Sequence, residues 1–226
     1  MNVVFRVDSS SQMGAGHFMR CLTLADELEK QNHNATFICR ELKGNLIKLI
    51  EHRVLILPVD KDFQSDDLYL SWLGATQEQD AKQTIQVIHD NVDLLVVDSY
   101  ALDEAWHKQL EPHTKKIIVI DDLADRQFNC DILLNQNLGS HKDDYKNKVP
   151  KDCKLLLGCE YALLRSEFSK LRSQALEKRK NTKEIKNILI SMGGSDSKNL
   201  TYNILQNIND SFNITVVLGA LSLHID

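Results

Sequence analysis

The residues best suited to chemistry lie in one stretch near the N-terminus: Asp8-Ser9-Ser10-Ser11-Gln12-Met13-Gly14-Ala15-Gly16-His17-Phe18-Met19-Arg20. Glycines at 14 and 16 let a backbone approach a ligand closely. His17 follows them directly, and an imidazole exchanges protons near neutral pH. An apolar run, Val3 to Val7, precedes the stretch, and an amphipathic run, Phe18 to Leu28, follows it. The order is strand, glycine-rich turn, helix. A helix N-terminus there offers unpaired N–H groups and the positive end of the helix dipole. A lone histidine is more often structural than catalytic, and the flanking glycines single this one out. The candidate site therefore has His17 as its base, with Gly14, Ala15, Gly16 and Arg20 beside it to contact substrate.

The remaining chemistry-bearing residues exclude more than they suggest. Neither this turn nor a second one, Ser191-Met192-Gly193-Gly194-Ser195-Asp196, has the spacing of a P-loop. Gly14-x-Gly16 lacks the third glycine of the dinucleotide fingerprint, and Arg40 rather than an acid ends the second strand. No G-x-S-x-G elbow supports a serine hydrolase, and no H-x-x-x-H or H-E-x-x-H supports a catalytic metal. His33, His52, His89, His107, His113 and His141 read as members of polar stretches. No cofactor and no metal are expected.

Stepping outward to the elements, apolar runs at 2–8, 35–39, 54–57, 92–98, 117–120, 131–135 and 155–157 read as strands. Helical patterns at about 17–31, 45–51, 68–73, 76–90 and 103–110 separate several of them. The stripe Met19, Leu22, Ala25 and Leu28 predicts the buried face of the first helix. Alternating strands and helices mean an α/β protein with a mostly parallel sheet. Ligands of such sheets sit beyond the carboxyl ends of the strands. Asp98, Tyr100, Asp122, Asn135 and Asn137 fall at those ends and are further candidate substrate contacts. An isolated Asp there equally suits a helix cap. An amphipathic and then basic segment, 164–183, reads as a helical linker. The pattern restarts with a strand near 185–190, a helix near 199–208 and a strand near 214–218. About 42 residues cannot bury a full core of their own. The expectation is that a second unit is cut short, leaving an exposed edge through which copies could associate.

Bulk properties narrow the function classes. A net charge of −5 argues against a broad nucleic-acid footprint. The five cysteines have no C-x-x-C spacing, and Cys21 and Cys39 sit in apolar-patterned elements, as buried thiols of a reducing compartment would. The N-terminus reads as a strand rather than a leader, and no apolar segment approaches the ~18 residues of a membrane span. A cytoplasmic protein without nucleic-acid or membrane partners is expected. Two α/β units, each with a glycine turn, suggest a nucleotide-sugar cleft between domains.

Four segments then carry a family resemblance: V-V-F-R-V-D-S-S-S-Q-M-G-A-G-H-F-M-R-C-L-T-L-A, D-D-L-A-D-R-Q-F-N-C-D-I-L-L-N-Q-N, L-G-C-E-Y-A-L-L-R-S-E-F and I-S-M-G-G-S-D-S-K-N-L-T. In this order they resemble the UDP-sugar hydrolases of pseudaminic acid biosynthesis, which are similar to the GT-B glycosyltransferases. The resemblance implies two Rossmann-like domains facing a cleft. Here these would be 1–163 for sugar and catalysis, a linker at 164–183, and the start of a nucleotide-binding domain at 184–226. It implies hydrolysis of UDP-2,4-diacetamido-2,4,6-trideoxy-β-L-altropyranose to UDP and free sugar, with His17 as the base that activates water. Gly193, Gly194, Ser195, Asp196 and Asn199 would face the nucleotide. A GT-B-type glycosyltransferase and a non-catalytic sugar-nucleotide binding fragment are the alternatives.

Overall fold

The computed structural model describes residues 1–89, 91–194, 196, 198–209, 211–219 and 222. Seven parallel strands form the main sheet: β1 (Asn2–Val7), β2 (Asn34–Arg40), β3 (Arg53–Leu57), β4 (Leu94–Asp98), β5 (Ile117–Ile120), β6 (Ile132–Asn135) and β7 (Lys154–Leu157). Their spatial order is β3-β2-β1-β4-β5-β6-β7. The chain winds outward from β1 to β3, then returns to place β4 on the other side of β1. The carboxyl ends of β1 and β4 thus flank the point where the winding reverses, where open parallel sheets bind ligands.

The continuous apolar character of the strands follows from burial on both faces. Val3, Phe5 and Val7 pack with Phe18, Cys21 and Ala25 of α1 (Gly16–Lys30). On the opposite face Val4, Leu95 and Val97 meet Ala81 of α3 (Gln77–Val87) and Trp106 and Leu110 of α4 (Glu104–Leu110). The buried face of α1 is therefore centred on Phe18, Cys21 and Ala25, with Met19, Leu22 and Leu28 at its flanks. The buried stripe is thus rotated from the predicted one, sharing only Ala25 with it. The helix predicted at 45–51 is only a 3-10 turn, Ile47–Leu49. Asn45 accepts from the Ile47 N–H at 3.1 Å and donates to the Leu42 carbonyl at 2.7 Å, so local side-chain bonds replace a helical ladder. The short helix expected near 68–73 is present as α2 (Leu68–Leu73), capped by Asp67 and ended by Gly74 at φ +68°.

Arg6 interrupts the apolar β1 and is wholly buried. Its Nη2 donates to Asp80 Oδ2 at 2.5 Å and its Nε to Oδ1 at 3.1 Å. Arg40 Nη2 reaches the same Oδ2 at 2.7 Å, and Trp106 Nε1 reaches Oδ1 at 3.1 Å. Burial opposes the charge on Asp80, but the two guanidinium groups outweigh it and hold the carboxyl below its ordinary range. Asp8 Oδ1 accepts the Arg40 N–H at 2.7 Å and lies 2.8 Å from Arg6 Nη1. This network ties α3 and α4 to the ends of β1 and β2, and it consumes Asp8 structurally. The side chains of the histidines at 52 and 107 are both packed away from solvent, although His52 Nε2 also meets Asp26 Oδ1 at 2.8 Å. His52 stacks on Phe37 with its side chain 3% exposed, and His107 is fully buried between Trp106 and Phe128.

After β7 comes α5 (Ser166–Asn181), none of whose residues is buried. A separate two-stranded parallel sheet follows, β8 (Asn187–Ile190) and β9 (Asn213–Val216), with α6 (Leu200–Leu205) between them. Leu189 and Val217 there are exposed. Among the described residues no helix is long and apolar enough to cross a membrane.

Candidate functional site

The turn after β1 is built by its own backbone and by the neighbouring loop. Gly14 donates to the Ser10 carbonyl at 2.8 Å with φ +81°, a left-handed value that favours glycine. The Met13 N–H bonds Ser10 Oγ at 3.0 Å. Ser11 donates to the Lys43 carbonyl at 3.0 Å and Ser9 Oγ accepts from the Leu46 N–H at 2.9 Å, which docks the turn on residues 43–46. Helix α1 starts at Gly16 with no side-chain cap and no acid in its first turn. Its first N–H groups and dipole are left for solvent or an anion.

From the first turn of α1, His17 and Arg20 point to the end of β4. His17 Nδ1 lies 2.5 Å from Asp98 Oδ1. Arg20 grips the same carboxylate through Nε to Oδ2 at 2.6 Å and Nη2 to Oδ1 at 2.6 Å. Asp98 has no exposed side-chain surface. Burial pushes its pKa up, but the positive charges of His17 and Arg20 prevail and bring it down to about 2. An ionised Asp98 accepts hydrogen bonds only. The proton between it and His17 therefore sits on Nδ1, and in the neutral form of the ring the lone pair is on Nε2. The guanidinium of Arg20 is a donor only, and its Nη2, 3.1 Å from His17 Nδ1, is directed to Asp98. Nε2 has no hydrogen bond among the described residues.

Tyr100, just beyond β4, completes the cluster. Its ring stands edge-on to His17, with centroids 4.5 Å apart and planes at 84°. Its hydroxyl donates to Asp122 Oδ1 at 2.6 Å, and Arg20 Nη1 reaches Asp122 Oδ2 at 3.3 Å. Burial and then the bond to Asp122 raise the Tyr100 pKa, so the phenol stays protonated. His17, Arg20, Asp98, Tyr100 and Asp122 thus form one hydrogen-bonded unit across the β1 and β4 ends.

Other candidates are placed differently. Asn135 is buried; it donates to the Tyr145 hydroxyl at 3.0 Å and accepts from the Asn137 N–H at 3.0 Å. It shapes its loop. Asn137 is exposed, and with Asp122, Leu138 and Ser140 it lines a shallow cleft of about 370 Å³ beside the cluster. In the second unit, Asp196 accepts from the N–H groups of Leu200 at 2.8 Å and Thr201 at 3.0 Å. Its carboxylate already occupies the start of α6, and Asn199 is the residue before that helix, at φ +52°. Ser195 lies outside the described residues. Gly194 meets the first turn: a Cβ added there would lie 3.3 Å from the Ala15 Cβ. The two glycine turns are therefore in contact.

The sequence reading missed three neighbours. Tyr69 of α2 lies 5.3 Å from the Tyr100 ring and 5.5 Å from Trp72, an aromatic wall behind the tyrosine. Cys21 Sγ is 3.6 Å from Asp98 Oδ2. Arg126 donates to the Ser99 carbonyl at 3.0 Å and the Leu102 carbonyl at 3.2 Å, bracing the loop that carries Tyr100. Tyr69 and Trp72 lie in the helix predicted at 68–73 and carry a signal only as aromatics; the other two give none beyond their place in the motifs.

No family model matches this chain. It is 34% identical over 206 residues to a UDP-2,4-diacetamido-2,4,6-trideoxy-beta-L-altropyranose hydrolase of Campylobacter jejuni, a match covering 90% of this chain and 64% of that protein. It is 32% identical over 224 residues to an uncharacterized protein of Methanocaldococcus jannaschii, covering 97% of this chain and 43% of the other. The chain thus spans less than two thirds of the length of these relatives. A MurG structure from Acinetobacter baumannii aligns with 96% of the chain at 10% identity and a TM-score of 0.47. The likeness to the hydrolase supports the assignment that the four sequence motifs suggested.

Proposed function

We propose that this chain bears the base-carrying side of a nucleotide-sugar hydrolase site, and that its substrate is a UDP-linked 2,4-diacetamido-2,4,6-trideoxy sugar on the route to pseudaminic acid. The observation that carries this reading is the His17–Asp98 pair at 2.5 Å, set where the sheet winding reverses. Asp98 holds the Nδ1 side of His17, so in the neutral ring the Nε2 lone pair is the one free to take a proton. In the proposed step Nε2 takes a proton from water as the water oxygen attacks the anomeric carbon. The anomeric C–O bond breaks, and UDP leaves with the bonding pair. The imidazolium that forms faces the Asp98 carboxylate, which stabilises it. Arg20 holds that carboxylate in a two-point fork, so its orientation survives the proton transfer. Charge developing on the leaving diphosphate calls for donors. The uncapped start of α1 and the Gly193-Gly194 turn against Ala15 are the groups placed to supply them, since Asp196 fills the start of α6.

The domain division goes with this reading: 1–163 for sugar and catalysis, 164–183 as linker and 184–226 on the nucleotide side, in a GT-B-like arrangement within the cytoplasm. The exposed Leu189 and Val217 of the second unit are the surface for any self-association.

The test is UDP release from the UDP-sugar in water without any acceptor. His17→Asn is expected to lower turnover by roughly 10²–10⁴-fold, the usual contribution of a general base. Near-normal turnover in that variant would sink the assignment of the base. Release only when a second sugar is added would favour a glycosyltransferase. Calorimetric binding without turnover would favour a binding module.

A further inference from the structure

Away from the His17 cluster, at the opposite end of the sheet, two thiols face each other. Cys130 lies two residues before the start of β6, and Cys153 directly precedes β7. The register pairs Ile132 with Lys154, and the Lys154 N–H donates to the Asp131 carbonyl at 2.8 Å. Cys153 is therefore level with Asp131, one residue along from Cys130. Adjacent strands about 4.8 Å apart with a rise of about 3.3 Å per residue put the two Cα atoms roughly 6 Å apart. That lies inside the range of about 4.4–6.8 Å over which disulfides close. The Sγ atoms are 3.7 Å apart. Both cysteines are free thiols. Closing to a bond of about 2.0 Å needs an approach of about 1.7 Å, within reach of side-chain rotation.

The two thiols are not equivalent. Cys130 is 6% exposed, whereas Cys153 is half-buried and open to small solutes. A cleft of about 170 Å³ lined by Lys116, Asn129, Asp131, Pro150 and Asp152 opens beside Cys130. Either thiol can donate its S–H to the other sulfur. Cys153 is thus the sulfur a small oxidant meets first, and its thiolate is the reactive form.

We propose that Cys130 and Cys153 are a reversible thiol-oxidation site, in which a hydroperoxide oxidises Cys153 and Cys130 resolves it to a disulfide. In the first step the Cys153 thiolate attacks one peroxide oxygen. An S–O bond forms, the O–O bond breaks, and the departing hydroxide takes a proton to become water. In the second step Cys130 sulfur attacks the Cys153 sulfenic sulfur. The S–S bond forms, the S–OH bond breaks, and the hydroxyl leaves as water with the Cys130 proton. The sum is two thiols and one hydrogen peroxide giving one disulfide and two waters. The bond closes the β6–loop–β7 segment, which includes Asn135, Asn137 and Tyr145, and ties down the far edge of the sheet. Nothing in this inference depends on the hydrolase reading.

The experiment treats the whole reduced chain, carrying Cys159→Ala to remove the exposed thiol, with hydrogen peroxide near one equivalent. Peptides are then mapped without reduction by mass spectrometry. The expected result is a linked pair of peptides containing Cys130 and Cys153, reversed by dithiothreitol, with Tm raised by several degrees in the oxidised form. Adding Cys130→Ser should leave Cys153 as a sulfenic acid trapped by dimedone, with a circular dichroism spectrum showing the fold intact. Cys130 and Cys153 both remaining reduced, or dimedone labelling elsewhere in place of Cys153, would overturn the proposal.

Discussion

At the residue scale, the consequential feature is that one carboxylate serves two partners. Asp98 receives His17 Nδ1 at 2.5 Å and both arms of Arg20 at 2.6 Å. Its low pKa, about 2, means that it stays ionised throughout the neutral range and accepts hydrogen bonds only. Asp98→Asn removes the charge and gives the residue an amide that can also donate, which permits the wrong tautomer. The expected outcome is a drop in kcat of roughly 10²–10⁴-fold, similar to loss of the base itself. UDP affinity measured by calorimetry should be little changed. An Asp98→Asn chain with full turnover would show that the imidazole needs no such partner. His17, Arg20, Asp98 and Tyr100 were all legible from residue type and strand-end position. The fork and the edge-on tyrosine were not, because both depend on which strand lies beside β1.

At the scale of elements, burial of charge and of histidine decides how α3 and α4 hold to the sheet. Asp80 on α3 is fully buried and bound by Arg6, Arg40 and Trp106. Breaking such a set by removing one partner typically costs about 3–5 kcal/mol. His107 on α4 is also fully buried. Burial, and then the charge of Arg126, depress its pKa to about 3. The unfolded chain takes up this proton below about pH 6.5 and the folded chain does not. Its contribution to stability is therefore complete above about pH 6.5 and declines as the pH falls towards the folded value. At pH 5 the loss is about 2 kcal/mol at ~1.4 kcal/mol per pH unit. Urea midpoints at pH 7.5 and pH 5 should differ less for His107→Leu than for the parent chain. Equal pH sensitivity in both would remove His107 as the cause. The charged pattern of α4 concealed this histidine, since three polar neighbours outvote one buried position in a short helix.

At the scale of the whole molecule, the two sheets differ in how they are held. The seven-stranded sheet has apolar layers on both faces, whereas α5 buries no residue and joins it to a two-stranded sheet. The contact of Gly194 with Ala15 brings the second unit to the first. If the division at 164–183 is right, brief trypsin treatment should cut first near Lys178, Arg179 and Lys180. The larger fragment should retain its cooperative thermal unfolding. Early cuts within 1–163, or loss of cooperativity after cleavage, would contradict that division. The C-terminal turn was legible as a glycine pair before an acid, but its contact with Ala15 was not, because it spans about 180 residues of sequence, a separation no local pattern reports.

The sequence by itself determined the alternation of strands and helices, the glycine turn and its histidine, because periodicity, glycine and helix-start chemistry are local properties of the chain. It also brought Asp98, Tyr100 and Asp122 to the ends of strands. Only the tertiary structure decided that β4 lies against β1. That adjacency puts Asp98 within hydrogen-bond reach of His17, while the pairing of β1 with β2 on the other side sends Asp8 to Arg6 and Arg40. A carboxylate at a strand end has no role until its neighbour is chosen, and the neighbour is chosen by packing both faces of the sheet.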